Sequence, residues 1–123
     1  METILLVDDE PTVLNFCQRI LRLGGYAVIP AGNGIEALRL AHTSSEKIDL
    51  ALLDLMMPGM NGVELGKHLQ RENPNVPVVL MTGYGPAEIA QVIRENPYRI
   101  IWKPFKTESL LRMIENALGN SPE

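Results

Sequence analysis

The stretch Ile4-Leu5-Leu6-Val7-Asp8-Asp9 decides how this chain is read: an unbroken apolar run that stops on a pair of carboxylates. The pattern returns at Leu50-Ala51-Leu52-Leu53 before Asp54, at Val78-Val79-Leu80-Met81 before Thr82, and at Ile100-Ile101-Trp102 before Lys103. Runs of this length without polar interruption read as strands buried on both faces, as in the parallel sheets of α/β folds. Residues at the same ends of such strands meet at one edge of the sheet, where α/β folds place their ligands. Carboxylates, a hydroxyl and an ammonium gathered there suit a metal ion and a phosphoryl group.

Between the runs lie amphipathic segments. Pro11 fits a first helical position, and Val13, Phe16, Cys17, Ile20 and Leu21 make one helical stripe that Gly24-Gly25 terminates. A second strand is expected over Tyr26 to Ala31, followed by Asn33-Gly34-Ile35-Glu36, a capping-box pattern with Asn in the capping place. Ala37, Leu38 and Ala41 form that helix's inner face. Pro58-Gly59 marks a loop after Asp54, and Asn61-Gly62-Val63-Glu64 opens a helix with Leu65 and Leu69 inward. The spacing predicts a fourth helix from Pro86, with Ile89, Val92 and Ile93 on one face, and a fifth over Thr107 to Leu118, closed by Gly119. Alternating strands and helices require right-handed crossovers and a parallel sheet covered on both faces. The expected fold is a flavodoxin-like (βα)5 sheet of order 2-1-3-4-5, whose switch point lies between the strands that end on Asp8-Asp9 and Asp54.

Composition narrows the function. The 123 residues suit one domain without linker or repeat, and 46% apolar with 21% charged residues is ordinary for a soluble globular chain. A net charge of −4 argues against nonspecific nucleic-acid binding. No apolar run reaches membrane-span length, and Met1-Glu2-Thr3 lacks the character of a signal peptide. One cysteine, Cys17, makes no internal disulfide, which suits the cytoplasm. His42 and His68 are read as exposed helix residues, and Arg94, Arg99, Lys106 and Arg112, interleaved with Glu88, Glu95, Glu108 and Glu115, as a salt-linked face.

Three carboxylates at one edge either rise in pKa or are neutralised by a cation. Hard oxygen ligands without His or Cys favour Mg²⁺ or Mn²⁺. Asp54, central and followed by a loop, is the best placed nucleophile, with Lys103 and Thr82 facing the transferred oxygens.

The residues Val7-Asp8-Asp9-Glu10, Asp54-Leu55-Met56-Met57-Pro58-Gly59-Met60-Asn61-Gly62, Met81-Thr82-Gly83-Tyr84 and Lys103-Pro104-Phe105 together resemble the receiver domain of two-component response regulators, in order and over nearly the whole chain. This resemblance implies that Asp54 accepts a phosphoryl group from a histidine kinase or phosphotransfer protein. It implies that Asp9, Asp54 and the backbone carbonyl of Met56 hold Mg²⁺, with Asp8 acting through water. Thr82 would turn its hydroxyl to the phosphoryl group, Lys103 would pair with it, and the Lys103-Pro104 bond would be cis. The fourth helix, fifth strand and fifth helix are a frequent dimer or effector surface in such domains. The chain is also similar to receivers at the C-terminal end of hybrid histidine kinases. With only Asn120 to Glu123 after the last helix, residues 1–123 are expected to be a single receiver domain without an output domain, either complete or cut from a larger protein.

One position departs from the pattern. Ile100, three residues before the lysine, stands where receivers usually carry Tyr or Phe, whose inward swing is coupled to the threonine. Output is therefore expected through the fourth helix and its preceding loop, with Tyr84. Met56, two residues after the acceptor, overhangs the site and cannot orient water as a polar residue could. That same residue weighs against the enzyme alternative, a Mg²⁺-dependent phosphatase with an aspartyl nucleophile, which needs an acid there. A flavodoxin is disfavoured because its first strand should feed a Ser/Thr/Gly-rich phosphate loop, whereas this one feeds Asp8-Asp9-Glu10, which would repel a phosphate without a metal.

Overall fold

The computed structural model describes residues 1–119, so the expectation concerning Asn120 to Glu123 lies outside the described residues. The elements are β1 (Thr3–Val7), α1 (Pro11–Leu23), β2 (Ala27–Ala31), α2 (Gly34–Thr43), β3 (Leu50–Asp54), α3 (Gly62–Glu72), β4 (Val78–Thr82), α4 (Ala90–Glu95), β5 (Arg99–Trp102) and α5 (Thr107–Ala117). All strand pairs are parallel and the order is β2-β1-β3-β4-β5, the expected flavodoxin-like sheet.

The apolar runs sort by strand parity into two cores. Leu5, Val7, Ala51, Leu53, Val78 and Leu80 pack with α2, α3 and Ile89 on one face. Ile4, Leu6, Leu50, Leu52, Val79, Met81 and Ile101 pack with Cys17, Ile20 and Leu21 of α1 and Leu110 and Ile114 of α5 on the other. Only β1, β3 and β4 are buried along their whole length. β5 is an edge strand of which Ile101 alone is buried, and Trp102, the last residue of a run read as buried on both faces, is 37% exposed. Pro30 is tolerated in β2 because that strand is the other edge.

Helix starts follow the capping chemistry. Asn61 accepts the Glu64 amide at 2.9 Å and Glu64 accepts the Asn61 amide at 3.1 Å, a reciprocal box. At α2 the box is displaced: Asn33 accepts the Glu36 amide, but the Glu36 carboxylate reaches back one residue further, to the Gly32 amide at 2.9 Å. α4 begins at Ala90, four residues after the expected Pro86. The Glu88 amide bonds to the Gly85 carbonyl at 3.1 Å, an i-to-i+3 turn in place of the i-to-i+4 bond that a helix from Pro86 would make, while Glu88 Oε1 accepts the Gly85 amide at 3.0 Å. Phe16, assigned to the buried stripe of α1, is 50% exposed. His68 is half-buried rather than exposed, and among the described residues no ion pair joins the four basic residues near α4 and α5 to the interleaved glutamates.

Candidate functional site

Asp54 and Thr82 are the last residues of β3 and β4, Asp8 directly follows β1, and Lys103 directly follows β5. Because all these strands are parallel and adjacent, the four residues share one edge without a long loop to place them. Parity then divides them. Asp8 and Asp54 continue the Ile4-Leu6 and Leu50-Leu52 rows toward α1 and α5, and Lys103 continues the row of Ile101. Thr82 continues the row of Val78 and Leu80, toward α3 and α4.

Asp8 is 1% exposed, and both of its oxygens are engaged. Oδ1 accepts the Glu10 amide at 2.9 Å and Oδ2 accepts Lys103 Nζ at 3.0 Å. Lys103 Nζ also lies 3.6 Å from Asp54 Oδ1. Asp54 is 5% exposed, and the Met56 amide approaches its Oδ1 at 3.4 Å. Asp9 is exposed at the rim, and one oxygen from each of Asp8, Asp9 and Asp54 lies within 4.8 Å of the others.

The energetics follow from this crowding. Burial, then the charge of Asp8, and to a smaller extent a hydrogen bond with Asp9 push the Asp54 carboxyl up to about 7, against the opposing pull of Lys103 and the Met56 amide. Burial draws the Lys103 ammonium down, but its hydrogen bond to Asp8 and the charges of Asp54, Asp8 and Glu10 outweigh this and raise it. A single ammonium faces three carboxylates, so the cluster is short of positive charge. All-oxygen donors with that deficit fit a hard divalent cation at the rim beside Asp9 and Asp54.

Thr82 is 1% exposed and its Oγ1 accepts the Tyr84 amide at 3.0 Å, fastening the Gly83-Tyr84-Gly85 loop to the strand end. Ile100 packs into the α2/α3/α4 core as an aliphatic side chain. Tyr84, 45% exposed, and Met56, 52% exposed, border a groove of about 530 Å³ between α3 and α4, floored by Leu55, Val63, Ile89 and Val92. The Lys103-Pro104 bond is cis.

The site residues read from the sequence are brought to one edge, but two neighbouring features were missed. One is the Thr82–Tyr84 bond, whose signal was the Gly83-Tyr84-Gly85 spacing. The other is an apolar hollow of about 460 Å³ beside Lys103, lined by Val13, Phe16, Pro104 and Phe105. A stripe wider than one helix face needs, on α1, was its sequence signal.

Residues 4–115 match the family model of the response regulator receiver domain. The chain is 35% identical over 118 residues to sporulation initiation phosphotransferase F of Bacillus subtilis, covering 95% of this chain and 94% of that protein. It is 34% identical over 120 residues to the transcriptional regulatory protein GlrR of Escherichia coli, covering 96% of this chain but 26% of GlrR, so it spans about a quarter of that relative. Among solved structures, the chemotaxis protein CheY4 of Vibrio cholerae superposes with a TM-score of 0.85 at 28% identity, over 95% of this chain and 98% of that one. With the strand order, the acidic edge and the family match in agreement, the chain belongs to the response regulator receiver domains, the phosphoacceptors of two-component signalling.

Proposed function

We propose that Asp54 is the acceptor. Its carboxylate attacks the phosphorus of a phosphohistidine on a histidine kinase or phosphotransfer protein. The new O–P bond gives an aspartyl phosphate, and the N–P bond breaks with its electron pair going to the imidazole. Lys103, 3.6 Å from Asp54, pairs with the incoming phosphoryl oxygens while keeping its bond to Asp8. Asp9, Asp54 and the Met56 carbonyl would hold Mg²⁺, with Asp8 behind them through water; when bound, the cation neutralises the charge that accumulates on the phosphoryl oxygens. The observation that carries this reading is the cluster of three carboxylates closed by one lysine ammonium. The donor is proposed to seat an apolar helix over Val13, Phe16 and Phe105, and residues of α4, β5 and α5 to meet a second copy or an effector. A cytoplasmic location accords with the family, and among the described residues no helix is long and apolar enough to cross a membrane.

The Thr82 hydroxyl is proposed to leave the Tyr84 amide and donate to the phosphoryl group. The loop of residues 83 to 85 would then move without a ring at Ile100. Mass spectrometry after incubation with acetyl phosphate and Mg²⁺ tests acceptance. Phosphoryl mass is expected in the wild type and not in Asp54→Ala; a wild type that gains none overturns the reading. Unchanged amide shifts over residues 83 to 95 on phosphorylation would refute the route through Tyr84.

A further inference from the structure

Gly62 opens α3 in ordinary helical backbone; its φ is not among the positive values, which belong to Gly25, Gly59 and Gly119. Conformation therefore does not require glycine at this position. Space does. A Cβ on Gly62 would lie 2.5 Å from the carbonyl oxygen of Asp54 and 3.0 Å from both the Asp54 carbonyl carbon and Leu55 Cα. Every one of these atoms is backbone, and they belong to the acceptor residue and its neighbour.

Neither side of the contact is free to retreat. The Leu55 amide bonds to the Met81 carbonyl at 2.8 Å and the Gly62 amide to the Leu55 carbonyl at 2.9 Å. The Asn61–Glu64 box fixes the first turn of α3, and Leu55 is 2% exposed. The first turn of α3 is thus seated directly on the Asp54–Leu55 peptide.

We propose that Gly62 is a positioning residue for phosphoryl acceptance. Having no side chain, it lets α3 brace the Asp54 peptide, which sets the carboxylate relative to Asp8, Asp9 and Lys103. The inference rests on Asp54 being the acceptor. A methyl group at residue 62 must be relieved by a shift approaching 1 Å, and a misplacement of about 1 Å at a reacting centre costs about 100-fold in rate.

Gly66 provides the matched control: it lies one turn further along α3 and is also buried. A Cβ there meets only side chains, Val78 Cγ1 at 3.3 Å and the Tyr98 ring at 3.5 Å. The experiment compares wild type, Gly62→Ala and Gly66→Ala for the rate constant of phosphorylation by acetyl phosphate, for Mg²⁺ titration by amide shifts, and for melting temperature. Gly62→Ala is expected to be about 100-fold slower at saturating acetyl phosphate and to bind Mg²⁺ more weakly, while retaining a dispersed spectrum. Gly66→Ala is expected to stay within a few-fold of wild type. A Gly62→Ala rate within threefold of wild type, or equal losses in the two variants, overturns the proposal. A wild type that takes up no phosphoryl group sinks the Asp54 reading instead. Should Gly62→Ala fail to fold, hydrogen exchange of the wild-type Gly62 amide decides. Slow exchange that slows further with Mg²⁺ and acetyl phosphate supports the brace; exchange as fast as at exposed Gly59, or unaffected by them, refutes it.

Discussion

Replacing Asp54 by Asn should make the cation-free protein more stable, although it removes the acceptor. The Asp54 carboxyl is pushed from its ordinary 3.8 up to about 7, burial being the main cause and the Asp8 charge the second. A folded-state value above the unfolded one means that the native protein holds the proton more tightly. Its contribution is complete below about pH 4 and is lost as pH rises through about 7. At about 1.4 kcal/mol for each pH unit, the ionised carboxylate costs the fold up to about 4 kcal/mol at pH 8. Asn carries no charge to bury but keeps the shape, so a gain of about 2 to 4 kcal/mol is expected, on the order of 10 °C in melting temperature for a domain of this size. Urea unfolding of wild type and Asp54→Asn at pH 4 and pH 8, with and without Mg²⁺, measures it. The gain should be near zero at pH 4 and full at pH 8, and should shrink with Mg²⁺, which stabilises the wild type by binding its folded state. No gain at pH 8, or the same gain at pH 4, would refute the electrostatic account.

Lys103→Ala leaves the buried Asp8 and Asp54 carboxylates without their ammonium. It should slow phosphorylation by acetyl phosphate at neutral pH by at least tenfold, and a rate equal to wild type would remove Lys103 from the chemistry. Met56→Asn places an amide able to orient water beside Asp54; it should shorten the aspartyl phosphate half-life severalfold, followed by loss of phosphoryl mass, and an unchanged half-life counts against the shielding role. Asn61→Ala breaks the capping box of α3 and should cost about 1 kcal/mol in chemical unfolding; a loss below a few tenths would mean that the box is idle.

The site was legible because its geometry rests on the simplest rule of parallel sheets: strands that run the same way end at the same edge. Asp8, Asp54, Thr82 and Lys103 needed only strand order and direction to reach one edge. Contacts set by edges and turns were not legible in this way. Trp102 reads as a packing residue in any strand, but β5 is the sheet's edge and leaves it 37% exposed. Phe16 has the right helical spacing for the core, yet it borders the hollow beside Lys103 and stays 50% exposed. Pro86 is a good first helical residue, but the backbone after Gly85 closes a tight i-to-i+3 turn at Glu88 and α4 starts only at Ala90. A tight turn of this kind leaves little trace in hydropathy.

The odd-even alternation of the strands has a further consequence for how this domain can diverge. Asp8, Asp54 and Lys103 belong to the side covered by α1 and α5, whereas Thr82 belongs to the side covered by α3 and α4. A group attached at the edge therefore touches two separately packed halves of the molecule. Packing under α1 and α5 reaches the edge through Asp8, Asp54 and Lys103, and packing under α3 and α4 reaches it through Thr82 and the Asp54–Leu55 peptide. The central sheet thus offers the edge two faces from which a change in packing can act on it.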